Sequence, residues 1–324
     1  MTDQLFHFEG QATRLARMEF GKLTDLSKLA DIDWRLPPDP PLNAQVLKPG
    51  VRTKFFMGAP AWGHKEWIGK VYPPKTKSTE FLHHYARAFN TIELNTSHYR
   101  IPSSEQTQKW REQVPSHFVF CGKLHQDISH ARGGLLDKRR HAEWFRFLED
   151  LGENRGPCFL QLPPSFTYAE KAELFQFLQN WPSEFALALE FRHPTWWTPE
   201  GQLLPALQQY LQGKKIGLVI TDVAGRRDVL HTALSAGFTM LRFIGNGLHP
   251  TDFERARHWY QKLKLWKEQG LQDAFIFVHE PDDIAMPEMA DHFIRHFNET
   301  LGEQVLPPLP AIAPAPEAQA KMFD

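Results

Sequence analysis

The sequence predicts an α/β fold, a closed (β/α)8 TIM-like barrel, from three observations. Eight short apolar runs, at 52–58, 91–95, 118–123, 158–162, 186–190, 216–222, 239–245 and 274–279, alternate with longer segments of helical period, which is how βα units assemble a parallel sheet. These units come without a second Gly-rich dinucleotide fingerprint, which favours closure over an open doubly wound sheet. The 324 residues, 42% hydrophobic and 23% charged, accommodate one barrel of about 250 residues with extensions at either end.

The elements follow in order. Residues 1–50 end in Pro37-Pro38-Asp39-Pro40-Pro41, where fixed φ angles and missing amide donors favour extended backbone; they read as an N-terminal extension. The barrel domain is expected over 51–301. Residues 302–324, rich in Pro and Ala from Pro307, read as a loose tail. Capping boxes at Ser103/Gln106, Thr167/Glu170 and Thr251/Glu254 announce helices, because the two side chains of a box satisfy each other's orphan backbone amides. After Thr251, Ala256, Trp259, Tyr260, Leu263 and Trp266 recur at helical spacing, and after Pro287 so do Met289, Ala290, Phe293 and Phe297. Those faces should cover the sheet. Only the stretch 225–236 offers no more than a marginal helix.

Composition excludes several classes. Lys plus Arg (37) against Asp plus Glu (38) leaves a formal charge of -1, without the basic surplus of a dedicated non-specific nucleic-acid binder. The first twenty residues hold no apolar h-region, and nowhere do 18 apolar residues run together, so neither secretion nor a membrane span is expected. Two cysteines, Cys121 and Cys158, lie in apolar runs, as buried thiols of a reducing, cytoplasmic compartment do.

Polar residues on the strands point to a site. A barrel strand is buried on both faces, so a polar side chain there is costly unless it lies at an end or in a satisfied network. Alternation in Thr91-Ile92-Glu93-Leu94-Asn95 turns Glu93 and Asn95 toward the axis. The same reading places Lys123, Gln161, Glu190, Asp222, Arg242 and His279 near the carboxyl ends of later strands, where barrels build their active sites. Glu93, Glu190 and Asp222 against Lys123, Arg192 and Arg242 also admit a neutral structural plug. Three cations near the axis repel a metal ion, and neither HExxH nor CxxC spacing occurs, so no metal is expected. The stretch 123–140 carries five Lys and Arg, with three cations opening a helix, where the macrodipole disfavours them; a nearby anion or a solvated face would account for this. Arg242-Phe243-Ile244-Gly245-Asn246-Gly247 follows the seventh strand, where barrels frequently bind phosphate through backbone amides.

The runs MGAPAWGHKEWIGKVYPP, IELNTSHYRIP, HFVFCGK, PCFLQLPPSF, ALEFRHPTWW and LRFIGNG, in this order over roughly 54–297, resemble the family catalogued as domain of unknown function 72, also called YecE-like. The resemblance implies a TIM-barrel fold but no secured activity. Its characteristic polar positions fall on Glu93, Asn95, Tyr99, Lys123, His130 and Gln161, then on Glu190, Arg192, His193, Trp196, Asp222 and Arg242. The chain departs from the family at Gly58-Ala59-Pro60-Ala61-Trp62, where hydroxyl residues are usual, and at His279-Glu280-Pro281-Asp282-Asp283, where Asn pairs are usual.

Together these features predict a small anionic ligand, phosphate- or carboxylate-bearing, at the carboxyl-terminal mouth. Catalytic candidates are Glu93 and Glu190 as acid or base, Lys123 and Arg242 against developing negative charge, and His130, His193 and Asp222. Ligand-binding candidates are Asn95, Tyr99, Gln161, Arg192, Trp196, Arg242 and Gly245. A nucleic-acid-binding or phosphodiester-cleaving protein, with tryptophans stacking on bases, and a non-catalytic scaffold are the alternatives. The sequence leaves any cofactor unknown.

Overall fold

Apolar runs of four to seven residues are too short for stable helices and too apolar to leave one face wet, so they form strands covered on both sides. The structure, a computed structural model, describes residues 21, 23 and 25–309. The first twenty residues and the tail beyond 309 lie outside the described residues. All eight expected runs are strands: β1 (Lys54–Gly58), β2 (Thr91–Leu94), β3 (Val119–Gly122), β4 (Cys158–Gln161), β5 (Leu187–Glu190), β6 (Gly217–Asp222), β7 (Phe238–Ile244) and β8 (Asp273–His279).

They pair in parallel. Six form one sheet in the order β1-β8-β7-β6-β5-β4, and β2 pairs with β3. Two sets of contacts join the pieces. Lys123 bridges to Phe159, and Leu124 N donates to Phe159 O at 2.9 Å. On the other side Asn90 Nδ2 donates to Phe55 O (2.9 Å) while its Oδ1 accepts from Met57 N (2.8 Å), and Glu93 N donates to Ala59 O at 3.1 Å. Gly58 has no alternative residue here, since a Cβ would lie 2.1 Å from Thr91 O. The result is a TIM-like α/β fold with a mostly parallel central sheet.

Helices α1 (Phe81–Ala88), α2 (Ser104–Arg111), α3 (Lys138–Asp150), α4 (Lys171–Asn180), α5 (Pro205–Lys214), α6 (Pro250–Gln269) and α7 (Met286–Leu301) intervene, besides shorter turns. Between β6 and β7 only a 3-10 segment, Ala224–Val229, forms, in line with the marginal pattern there. Ser103 Oγ accepts from Gln106 N, and the Thr167/Glu170 box is present. The third box is displaced: α6 is capped by His249 with Asp252 rather than by Thr251 with Glu254, because Pro250 occupies the first helical position. The predicted apolar positions of α6 and α7 are buried.

The inner face of the sheet alternates cleanly. Cys121, Phe159, Ala188, Val219, Met240, Phe275 and Phe277 pack as one inner apolar cluster. One alternation further along every strand but β1, toward its carboxyl end, stand polar residues. Residues 25–50 are fastened to the outside: Asn43 accepts from Leu234 N (2.8 Å) and Gln208 Nε2 (3.1 Å), and Asp39 pairs with Lys262 (2.8 Å). At the other end of the described chain Leu306 and Leu309 are buried, and Leu309 N donates to Asp291.

Candidate functional site

Inner-face alternation carries Glu93 (β2), Lys123 (just after β3), Gln161 (β4), Glu190 (β5), Thr221 (β6), Arg242 (β7) and His279 (β8) to one level. Their contacts cross from β2 to β5, β7 and β8, so the sheet curls enough to bring strands distant in its order together. Arg242 grips Glu93 with two bonds, Nε to Oε2 at 2.9 Å and Nη2 to Oε1 at 3.0 Å, and reaches Glu190 Oε2 with Nη1 at 3.4 Å. Asn95 Nδ2 donates to Glu93 Oε1 (2.9 Å) and His279 Nε2 to Glu93 Oε2 (3.0 Å). Arg192 donates from Nε to Glu190 Oε1 and from Nη2 to Gln161 Oε1, both at 2.7 Å, and Thr221 Oγ1 donates to Glu190 Oε1 at 3.0 Å.

Glu93 thus has two donors on each oxygen, Glu190 has two on Oε1 and one on Oε2, and both carboxylates are buried. Burial alone would raise them. For Glu93 the Arg242 guanidinium and the bond from His279 outweigh burial and hold the carboxyl well below the usual range; Arg192 and Arg242 lower Glu190.

Lys123 breaks this pattern. It is partly buried, and among the described residues no hydrogen-bond acceptor or ion-pair partner meets its ammonium. Burial first, then the guanidinia of Arg242 and Arg192, push its amine down from 10.5 to about 7, against the opposing pull of Glu93 and Glu190. Two imidazoles stand alongside. His98, in the turn Thr96–Tyr99 after β2, has Nδ1 2.7 Å from Leu124 O; a carbonyl only accepts, so Nδ1 carries the proton and Nε2 presents a lone pair. Burial and Lys123 lower His98 to about 3 and His130 to about 4, so both rings are neutral at physiological pH. Their centroids are 5.0 Å apart, and His130 Nδ1 lies 2.7 Å from Ser129 Oγ. Tyr99 is 48% exposed.

The structure thus brings together Glu93, Asn95, Lys123, His130, Gln161, Glu190, Arg192 and Arg242. It corrects the placement of four others. Asp222 faces outward: on β6 Thr221 points inward, and the next residue turns to the helices, where Asp222 accepts from Arg227 Nη1 and Trp259 Nε1. Trp196 is wholly buried against Phe166 and Phe191, its indole donating to Phe166 O at 2.9 Å, so it is core. His193 caps the turn Pro194–Trp196, accepting from Thr195 N at 3.2 Å. Gly245 opens no phosphate cradle. Its amide donates to His279 O (2.8 Å), and the next two go to carboxylates, Asn246 N to Asp252 (2.8 Å) and Gly247 N to Glu280 (2.8 Å).

Part of the basic stretch is paired from within. Asp137 caps α3 by accepting from Arg139 N and Arg140 N, while Arg140 pairs with Asp127 (2.6 Å) and Glu143 (2.8 Å). His98, Glu280 and Asp252 were not anticipated as part of these networks. Among the described residues no group of three or more His, Cys, Asp or Glu is arranged to hold a metal ion, and no helix is long and apolar enough to cross a membrane.

The profile of the family described as "Protein of unknown function DUF72" matches residues 56–314. The chain belongs to the DUF72 family. This DUF72 chain is 30% identical over 267 residues to UPF0759 protein YecE of Escherichia coli (strain K12), covering 77% of this chain and 94% of that protein. It is 27% identical over 256 residues to UPF0759 protein YunF of Bacillus subtilis (strain 168), covering 69% and 88%. Solved DUF72 family proteins of Thermotoga maritima (21% identity, 77% of this chain and 100% of that one) and Enterococcus faecalis (15%, 76% and 95%) superpose with a TM-score of 0.59 each, which supports a TIM-like fold. At the two departures from the family pattern, Ala59 N donates to the Tyr85 hydroxyl (2.7 Å) and His279 binds Glu93.

Proposed function

We propose that this DUF72 protein binds a small anion, a carboxylate or phosphate, at the carboxyl ends of its strands, and that Lys123 is the contact. The reading takes β2 and β3 to complete a closed eight-stranded barrel over 51–301, in a cytoplasmic protein whose two cysteines stay reduced. One observation carries it. Glu93 and Glu190 are matched by Arg242 and Arg192, so protonated Lys123 is a surplus positive charge without an acceptor, which an anion would satisfy.

Acid–base work falls to Lys123 and His130, whose protons exchange near neutral or mildly acid pH. Glu93 and Glu190, held ionised by guanidinia, position rather than transfer protons. The nucleic-acid alternative has less in its favour, because Trp196 is core and, of the five cations in 123–140, Arg139 and Arg140 pair with Asp127 and Glu143. Calorimetry with inorganic phosphate and oxalate tests the proposal. One anion should bind, and Lys123→Met should weaken it by at least about tenfold, worth about 1.4 kcal/mol. Equal binding by the variant, or no binding to either protein, would overturn the proposal.

A further inference from the structure

We propose that Lys123 is an imine-forming lysine whose amine adds to the carbonyl carbon of a small 2-oxo acid; the inference rests on the anion-binding reading above and gives it a substrate class. The argument starts from what surrounds the side chain. A lysine that served as a structural cation would reach a carboxylate oxygen, yet Glu93 has two donors on each oxygen, and Glu190 has two on Oε1 and one on Oε2. Its amine stands within the charge of Arg242 and Arg192 as well as of Glu93 and Glu190, and acts in turn on the His98 and His130 rings. Burial and the guanidinia favour its uncharged form, the form that adds to carbon. Partial exposure leaves it within reach of a ligand.

The chemistry closes on these groups. The Lys123 nitrogen forms a bond to the carbonyl carbon as the C=O π bond breaks, and one amine proton passes to the oxygen to give a carbinolamine. The second amine proton leaves with the hydroxyl as water, forming the C=N bond. His98 Nε2 and the His130 ring are the proton acceptors on hand for that transfer. No oxidant, reductant or metal is needed. Charge closes too: protonated as an iminium, the linkage keeps the positive charge of Lys123, and the carboxylate next to the former carbonyl cancels it. A neutral aldehyde would leave one charge uncompensated, which is why an oxo acid is preferred.

The full chain is incubated with pyruvate or glyoxylate and sodium cyanoborohydride at pH 7, digested, and mapped by mass spectrometry. Reduction should fix one carboxyalkyl group on Lys123, at least about tenfold in excess over exposed Lys109 and Lys138, since each unit of pKa separates free-amine populations tenfold. Oxalate should protect. Lys123→Arg, which keeps the charge but cannot form the imine, should bind oxalate without being labelled. Labelling spread evenly over surface lysines, with oxalate still bound through Lys123, overturns the imine and leaves the anion site standing. Loss of both overturns the two together.

Discussion

The inner cluster on β2, β5 and β7 and the outer cluster behind β6 are made of the same parts, two carboxylates against two guanidinia, yet they end differently. Outside, Asp222 and Asp252 face Arg227 and Arg255. Trp34, delivered by the segment 25–50, lies over both guanidinia, 5.4 and 5.2 Å from their central carbons. The odd group there is an acid: burial, then Asp252, push Glu280 up from 4.5 to about 8, and its Oε2 accepts from Gly247 N in the loop after β7. Inside, the odd group is a base, Lys123, which has neither acceptor nor aromatic cover. The outer cluster is closed over by Trp34 even though Arg255 Nε and Nη1 and Glu280 Oε1 lack hydrogen-bond partners, which makes it architecture; the inner cluster leaves a partly exposed amine that a ligand can reach.

The largest effect expected from this contrast is at Arg242. Arg242→Ala leaves Glu93 buried beside a single imidazole and should cost about 3–5 kcal/mol by urea denaturation. Arg227→Ala, at a partly exposed guanidinium, should cost about 1–2 kcal/mol. Equal costs would erase the distinction between the clusters. Next, Trp34→Ala should cost about 3 kcal/mol while leaving oxalate affinity unchanged; a fall in affinity would join the outer cluster to the site.

Lys123→Met should instead stabilise. The folded amine titrates near 7 and the unfolded one near 10.5, so the unfolded chain holds the extra proton between those values and stability climbs as pH rises through that window. The gain from the variant, held to about 1–2 kcal/mol by the partial exposure of Lys123, should be complete below pH 7 and vanish by pH 10.5. Destabilisation would make Lys123 a structural cation. The last effect is at Glu280, which titrates near 8 folded and 4.5 unfolded, so its burden grows as pH rises from 4.5 to 8. Glu280→Gln should add stability above pH 8 and nothing below pH 4.5, as thermal melts across pH would show.

Much of this was legible in the sequence, for a physical reason. Strands buried on both faces tolerate few polar residues, so Glu93, Lys123, Glu190 and Arg242 stood out, and period-2 alternation turned them inward. Asp222 misled because it is the last polar residue of its strand but sits on the outward parity; counting from Val219 would have selected Thr221. Pro250 was a visible start signal for α6 that the Thr251/Glu254 spacing obscured. Trp196 and Gly245 lie beside charged or glycine-rich motifs, yet what fills the space around them, Phe166 or Glu280, comes from elsewhere in the chain. The same holds for Trp34 and Asp39, whose partners lie about two hundred residues away; contacts at that separation leave no local pattern. His98 stands in a single helical turn after β2, too short to leave a period.

The most direct measurement is an NMR titration of the Lys123 side chain, assigned by its loss in Lys123→Met and repeated with saturating oxalate. The account predicts a midpoint near 7 for the free protein, displaced upward when the anion binds and favours the ammonium. A midpoint near that of an exposed lysine, or one that oxalate does not move, would contradict it.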